Sequence, residues 1–188
     1  MKHMAVLALI ALASPCAAQQ ITADRPGIGV DPETVPQWTL QPEVGTDGQE
    51  VRLGLAQGFE IEAQRGGGDS AYGAKLAIVD GAIAKASLRL AYDRQLGAVI
   101  EVPANITFTP WFNLGLDAMW SRPSQVYAAE FNFQPTKRLT ITPTAYDDGR
   151  ARVAIFAAWV SRDNLQFDIG FDQNRVSVGV SRAFMLRR

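Results

Sequence analysis

The residue types that usually carry out catalysis are nearly absent from this chain. Its single histidine is His3 and its single cysteine is Cys16. Both lie in an amino-terminal stretch expected to be removed, which would leave the mature chain with neither an imidazole nor a thiol. Ser-His and Cys-His catalysis, disulfides, and ordinary zinc or haem ligation are then excluded. What remains is a row of charged side chains: Glu43, Arg52, Glu60, Glu62, Lys75, Lys85, Arg89, Glu101, Asp117, Glu130, Arg152 and Asp168. Both signs are present, with seven acids against five bases. Charged rings of this kind line pores and tune which solutes pass. Long charged side chains can equally bridge a barrel of modest width and fill it. Glu60 and Glu62 lie two residues apart and share a face, but a glycosidase pair needs a sugar cleft that nothing else supplies. Asp147-Asp148-Gly149 reads as a turn, because too few ligands surround it for calcium. No catalytic residue, metal site or cofactor is expected.

The elements that place these charges alternate. From residue 37 onward apolar and polar residues exchange with a period of two, the pattern of a strand with one apolar and one polar face. Leu53 and Leu55 flank Gly54, with Arg52 on the same face as Gly54. Ala84, Ala86, Leu88, Leu90 and Tyr92 oppose Lys85, Ser87, Arg89 and Asp93. A long run over residues 96–109 and further rows through Val180 repeat the pattern. Asp-Gly, Gln-Gly, Asp-Asp-Gly and Gln-Asn breaks separate them, the chemistry of tight turns. The fold class expected is all-β, an up-and-down antiparallel transmembrane β-barrel of about 12 strands, since closure removes exposed edges. Pro42, Pro103 and Pro143 fall inside proposed strands and point to bulges, rim positions or misplaced boundaries. Phe156, Val160 and Met119 sit on the otherwise polar face. The longest connections expected are residues 65–71 and 121–125, too short for adhesion or receptor duty.

Composition agrees with a packed exported protein. Hydrophobic residues make up 47% of the 188 positions, too many for a disordered chain. The net charge of −1 gives no electrostatic reason to bind nucleic acid. Met1-Lys2-His3-Met4, an apolar run over residues 5–13, and Ser14-Pro15-Cys16-Ala17-Ala18 have the layout of a secretory signal peptide. The expected division is a signal peptide over residues 1–18, a plug-like periplasmic segment over 19–36 and the barrel over 37–188. Removing residues 1–18 takes one of 18 basic residues and none of 19 acidic ones, for a mature charge near −2.

Alternation alone does not say which face is outside, and a soluble ligand-binding barrel is the alternative. Three features favour lipid. Aromatic residues gather at strand ends: Trp38, Phe59, Phe108, Trp111, Phe133, Trp159 and Phe184 towards one rim, Tyr92, Trp120, Tyr127 and Phe171 towards the other. Two such girdles mark bilayer interfaces. After residue 18 there are three lysines, Lys75, Lys85 and Lys137, sparse for a solvated exterior. The last strand resembles the carboxy-terminal assembly signal of bacterial outer-membrane barrels, with Gly179 and the aromatic Phe184 matching. Arg182 stands where that pattern has an apolar residue, and four residues follow Phe184. The expected partners are therefore outer-membrane lipid, the barrel-assembly machinery and a small-molecule solute, with no nucleic acid.

The opening of the mature chain adds a resemblance. Ile21-Thr22-Ala23-Asp24-Arg25-Pro26-Gly27, then Asp31-Pro32-Glu33-Thr34-Val35-Pro36, then Leu40-Gln41-Pro42-Glu43 resembles the start of the outer-membrane transporter family associated with meta-pathway phenol degradation. Ala23 and Pro42 interrupt that pattern, and the likeness covers residues 21–43. It implies an outer-membrane channel or transporter for small solutes, among them small hydrophobic or aromatic compounds. Physically, Pro26, Pro32 and Pro36 bar a regular strand or helix over residues 21–36. That segment, with Asp24, Arg25, Pro26 and Glu33, is expected to fold into the periplasmic mouth, Asp24 and Arg25 pairing with charged wall residues. The readings left open are a structural barrel with a filled lumen and a soluble exported barrel.

Overall fold

The computed structural model describes residues 30–66, 69–122, 124–162, 164–173 and 175–186. The proposed signal peptide and Asp24, Arg25 and Pro26 lie outside these residues. The alternating runs form β1 (Thr39–Gly45), β2 (Gln49–Ala56), β3 (Phe59–Gly66), β4 (Asp69–Asp80), β5 (Ala84–Asp93) and β6 (Gly97–Thr109). They continue as β7 (Phe112–Trp120), β8 (Gln125–Thr136), β9 (Leu139–Asp147), β10 (Ala151–Arg162), β11 (Leu165–Asp172), β12 (Arg175–Arg182) and the two-residue β13 (Phe184–Met185). From β1 to β12 each strand pairs antiparallel with the next, and β12 and the short β13 both pair with β1, closing a 12-strand up-and-down barrel. The rim where β1 begins and β12 ends is called here the terminal rim, and the opposite one the distal rim.

The two faces are inverted relative to a soluble protein. Arg52, Lys75, Glu43 and Glu60 are fully buried, whereas Tyr72, Ile78, Leu90, Phe108, Val153 and Val176 are exposed on the outside. Outward aromatics pair across strands: Tyr72 with Tyr92 at 5.7 Å, Phe112 with Phe133 at 5.0 Å, and Trp159 with Phe167 at 6.1 Å. Such cross-strand ring pairs help fix register.

Two expectations need correction. The three prolines mark neither bulges nor rims, and the strand boundaries around them hold. Each sits where the ladder lapses on one side only, because a residue without an N–H cannot donate to that neighbour. Pro42 faces the break between β12 and β13; Pro103 lies between the pairs Ala86–Ala104 and Arg89–Glu101; Pro143 lies between Glu130–Thr144 and Phe133–Ile141. The register shifts fall elsewhere, at 54–56, 77–79, 107–109, 133–136 and 160–162, each close to the terminal rim. Nor is 65–71 a loop: β3 runs to Gly66 and β4 starts at Asp69. The longest link between consecutive strands is residues 121–124.

Candidate functional site: the charged lumen

Because side chains alternate in and out, register decides which charges meet. The pairs Arg52–Glu62, Glu60–Lys75, Lys75–Arg89 and Arg89–Glu101 step from β2 to β6 at similar height. Three of these pairs set opposite charges side by side, and in the fourth Lys75 and Arg89 are each met by a carboxylate of β3. Arg52 Nη2 lies 2.8 Å from Glu60 Oε1 and its Nη1 lies 3.5 Å from Glu43 Oε1. Lys75 Nζ reaches the same Glu60 oxygen at 3.1 Å, and Gln41 Nε2 donates to Glu43 at 3.0 Å. Higher in the barrel Arg89 is clamped between Glu62 and, at 2.7 Å, Glu101. Buried charges persist only when paired and hydrogen-bonded in this way.

Residues 30–36 occupy the space inside this wall. The Val30 N–H donates to Asp117 Oδ2 at 3.1 Å. Lys75 Nζ donates to the Asp31 carbonyl at 2.8 Å, and Arg52 Nη2 to the Glu33 carbonyl at 3.2 Å. The Val35 N–H donates to Glu60, and the Glu33 carboxylate pairs with Lys85. Val35 is fully buried. The segment leaves the lumen through Trp38, which takes a left-handed φ of 59° and donates its N–H to the Gly54 carbonyl at 2.8 Å. Gly54 is required there: a Cβ on it would overlap the carbonyls of Val35 and Pro36.

The opposite wall differs. Ala128, Tyr146, Ala154 and Phe156 form an apolar cluster on the inner faces of β8–β10. Beside it, towards the distal rim, a cavity of about 200 Å³ is lined by Glu101, Asp117, Met119, Val126, Ala128, Tyr146 and Asp148. Tyr146 donates its hydroxyl to Asp172 at 2.8 Å.

Of the twelve charges read from the sequence, Glu43, Arg52, Glu60 and Lys75 meet in one cluster, and Glu62, Arg89 and Glu101 in a second. Lys85 and Asp117 hold the inner segment. Glu130 lies on β8, where it acts electrostatically on Asp117, and Asp168 lies buried on β11. Arg152 pairs instead with Asp148, at 3.1 Å. Glu33 is the one residue of the proposed amino-terminal group within the described part. Gln41 and Tyr146 were not singled out by sequence. Gly54 carried a signal for the inner segment, since a glycine among inward polar residues leaves room for another backbone. At the carboxy terminus, Gly179 pairs with Gly45 and Asp168, and Phe184 with Leu40. The strand breaks between them at Ala183, and the Arg182 guanidinium lies 5.2 Å from the Phe184 ring centre. Among the described residues no group of three or more His, Cys, Asp or Glu is placed to hold a metal.

A scan against known protein-family models finds no match, and a comparison with curated proteins finds none either. Solved structures do match. The chain is similar to a KdgM porin, at 10% identity and a TM-score of 0.56, over 78% of this chain and 98% of that one. It is similar also to a KdgM porin in complex with disordered oligogalacturonate, at 11% identity and a TM-score of 0.53, over 78% and 96% of the two chains. At such identities the likeness establishes the fold: an all-β, closed, antiparallel porin-like barrel of 12 strands.

Proposed function

We propose that this protein is an outer-membrane β-barrel channel for small solutes. The observation that carries the reading is the inversion of its two faces: exposed Leu, Ile, Val and aromatic side chains outside, buried charges inside. An apolar exterior on a closed barrel is what a bilayer solvates, and it leaves no backbone edge in lipid. A soluble ligand-binding barrel would put these faces the other way round. The porin-like fold supports the same reading. Export by a cleaved signal peptide and insertion by the barrel-assembly machinery, through the segment holding Gly179 and Phe184, belong to it.

The solute is small. Twelve strands give a lumen between the filled eight-stranded barrels and the open porins of about 16 strands. The inner segment and the ion-paired wall take up one side and the buried inner faces of β8–β10 bound the other, so a route past β8–β10 opens when residues 30–36 move aside. There Tyr146, Phe156 and Met119 offer apolar surface beside Thr142 and Thr144. That surface supports small hydrophobic or aromatic solutes, the class the opening motif implies, though the lumen as a whole is charged. The second reading, a structural barrel with a filled lumen, is favoured by the fully buried Arg52, Lys75 and Glu60. The deciding experiment is planar-bilayer conductance of refolded protein, its folding checked by heat-modifiable gel mobility. Discrete conductance steps are expected. A folded barrel that gives none, both as wild type and with residues 30–36 crowded by Gly54→Ala, overturns the channel reading in favour of the structural one.

A further inference from the structure

We propose that residues 30–36 are a closure built into the barrel, latched by the ion pair between Glu33 and Lys85 and opened when that pair is broken. This rests on the channel reading above.

The segment is seated by complementarity. At its level the wall presents Arg52, Lys75 and Lys85 beside Glu43 and Glu60, and Glu33 supplies a carboxylate to Lys85, which Asp31 and Asp80 also face electrostatically. Four further contacts engage its backbone: Asp117 at Val30, Lys75 at Asp31, Arg52 at Glu33 and Glu60 at Val35. Pro32 and Pro36 restrict the free segment, which lowers the entropy lost on docking.

The same geometry makes release inexpensive. Arg52 and Lys75 remain bonded to Glu60 when the segment withdraws. The wall keeps its own ion pairs, so it has no need to collapse. The Glu33–Lys85 pair is different in kind. It is the segment's side-chain ion pair with the wall, and its two side chains are 28% and 32% exposed. Water can therefore solvate both partners once they part. A segment held by charge-assisted bonds to a wall that stays paired without it, and by an accessible charge pair, is a two-state element.

The test is single-channel recording on the full chain. Glu33→Gln and Lys85→Gln should each raise open probability by roughly three- to tenfold, the range for a partly buried pair. The exchange Glu33→Lys with Lys85→Glu should return it towards wild type, which a merely destabilised barrel would not do. Gly54→Ala, which crowds the Val35 and Pro36 carbonyls, should open the channel while leaving the latch residues intact. In a Cys16→Ser background, Glu33→Cys with Lys85→Cys joined by a short bifunctional thiol reagent should close it again. If wild type conducts and both single variants match it, the latch is overturned and the channel reading stands. If the two cysteines are not joined by the reagent, the docked position is overturned. If neither wild type nor any opened variant conducts, the channel reading falls and the closure falls with it.

Discussion

At the residue scale, the most constrained group in the lumen is Arg52. Its guanidinium is fully buried, forks onto Glu60, reaches Glu43 and donates to the Glu33 carbonyl. Five donors in a rigid plane allow one side chain to serve three partners, which a lysine ammonium does less well. Removing one member of a buried ion pair strands the other charge, at a cost of about 3–5 kcal/mol. Arg52→Met should therefore lose about that much stability, measured by guanidinium unfolding of the barrel in vesicles. Arg52→Lys should lose less, because the charge stays. A loss below about 1 kcal/mol for the methionine variant would mean that water already shares the cluster. The inward placement of Arg52 was legible in the sequence from Leu53 and Leu55 beside it. Its partners were not, because a period of two assigns a face but not a register, and register is what sets Glu60 against Lys75.

At the element scale, strand number and phase were legible for the same reason: in β1–β12, runs of seven to thirteen residues with a period of two leave little choice. The stretch 65–71 reads as a loop because its glycines interrupt the pattern, whereas β3 runs on to Gly66 and β4 starts at Asp69. The contacts of residues 30–36 were beyond the sequence, which carries only the expectation of a plug-like segment. They have no periodicity, and the Val30 N–H finds its acceptor 87 positions away. The strands also carry the test of what surrounds them. Leu116 lies near the middle of β7, points outward and is 44% exposed. In a bilayer, Leu116→Arg should cost about 2–4 kcal/mol, since a cation near the midplane loses its hydration. On a soluble barrel the same change would lie within about 0.5 kcal/mol of neutral. Denaturant unfolding of both proteins in vesicles separates the cases.

At the scale of the whole molecule, the charge distribution makes the lumen directional. Bases concentrate on the β2–β5 wall, where each is matched by a carboxylate of the wall or of residues 30–36. Towards the distal rim the balance tips. Glu101, Asp117 and Asp148 line the cavity there, and no base lines it. Arg89 reaches Glu101 and Arg152 reaches Asp148. Asp117 is met by the Val30 N–H through Oδ2, while its Oδ1 is buried with no hydrogen-bond partner among the described residues. The cavity wall is thus the negative stretch of the passage, while the distal links also carry Arg94, Arg122 and Arg150, and a low-dielectric wall focuses that potential onto a passing ion. The channel should favour cations over anions, read as the reversal potential across a potassium chloride gradient. The preference should be largest at ionic strengths near or below about 0.1 M, where the Debye length of about 10 Å spans the mouth. Asp148→Asn removes a rim carboxylate and leaves Arg152 on the same side less neutralised, so the preference should shrink. Arg152→Gln makes the opposite change and should enlarge it. Opposed shifts from two residues that form one pair would place the selective field at the distal mouth. Equal reversal potentials in all three proteins would instead move the selecting charges to the level of Glu33 and Lys85, where opening the closure should then change selectivity together with conductance.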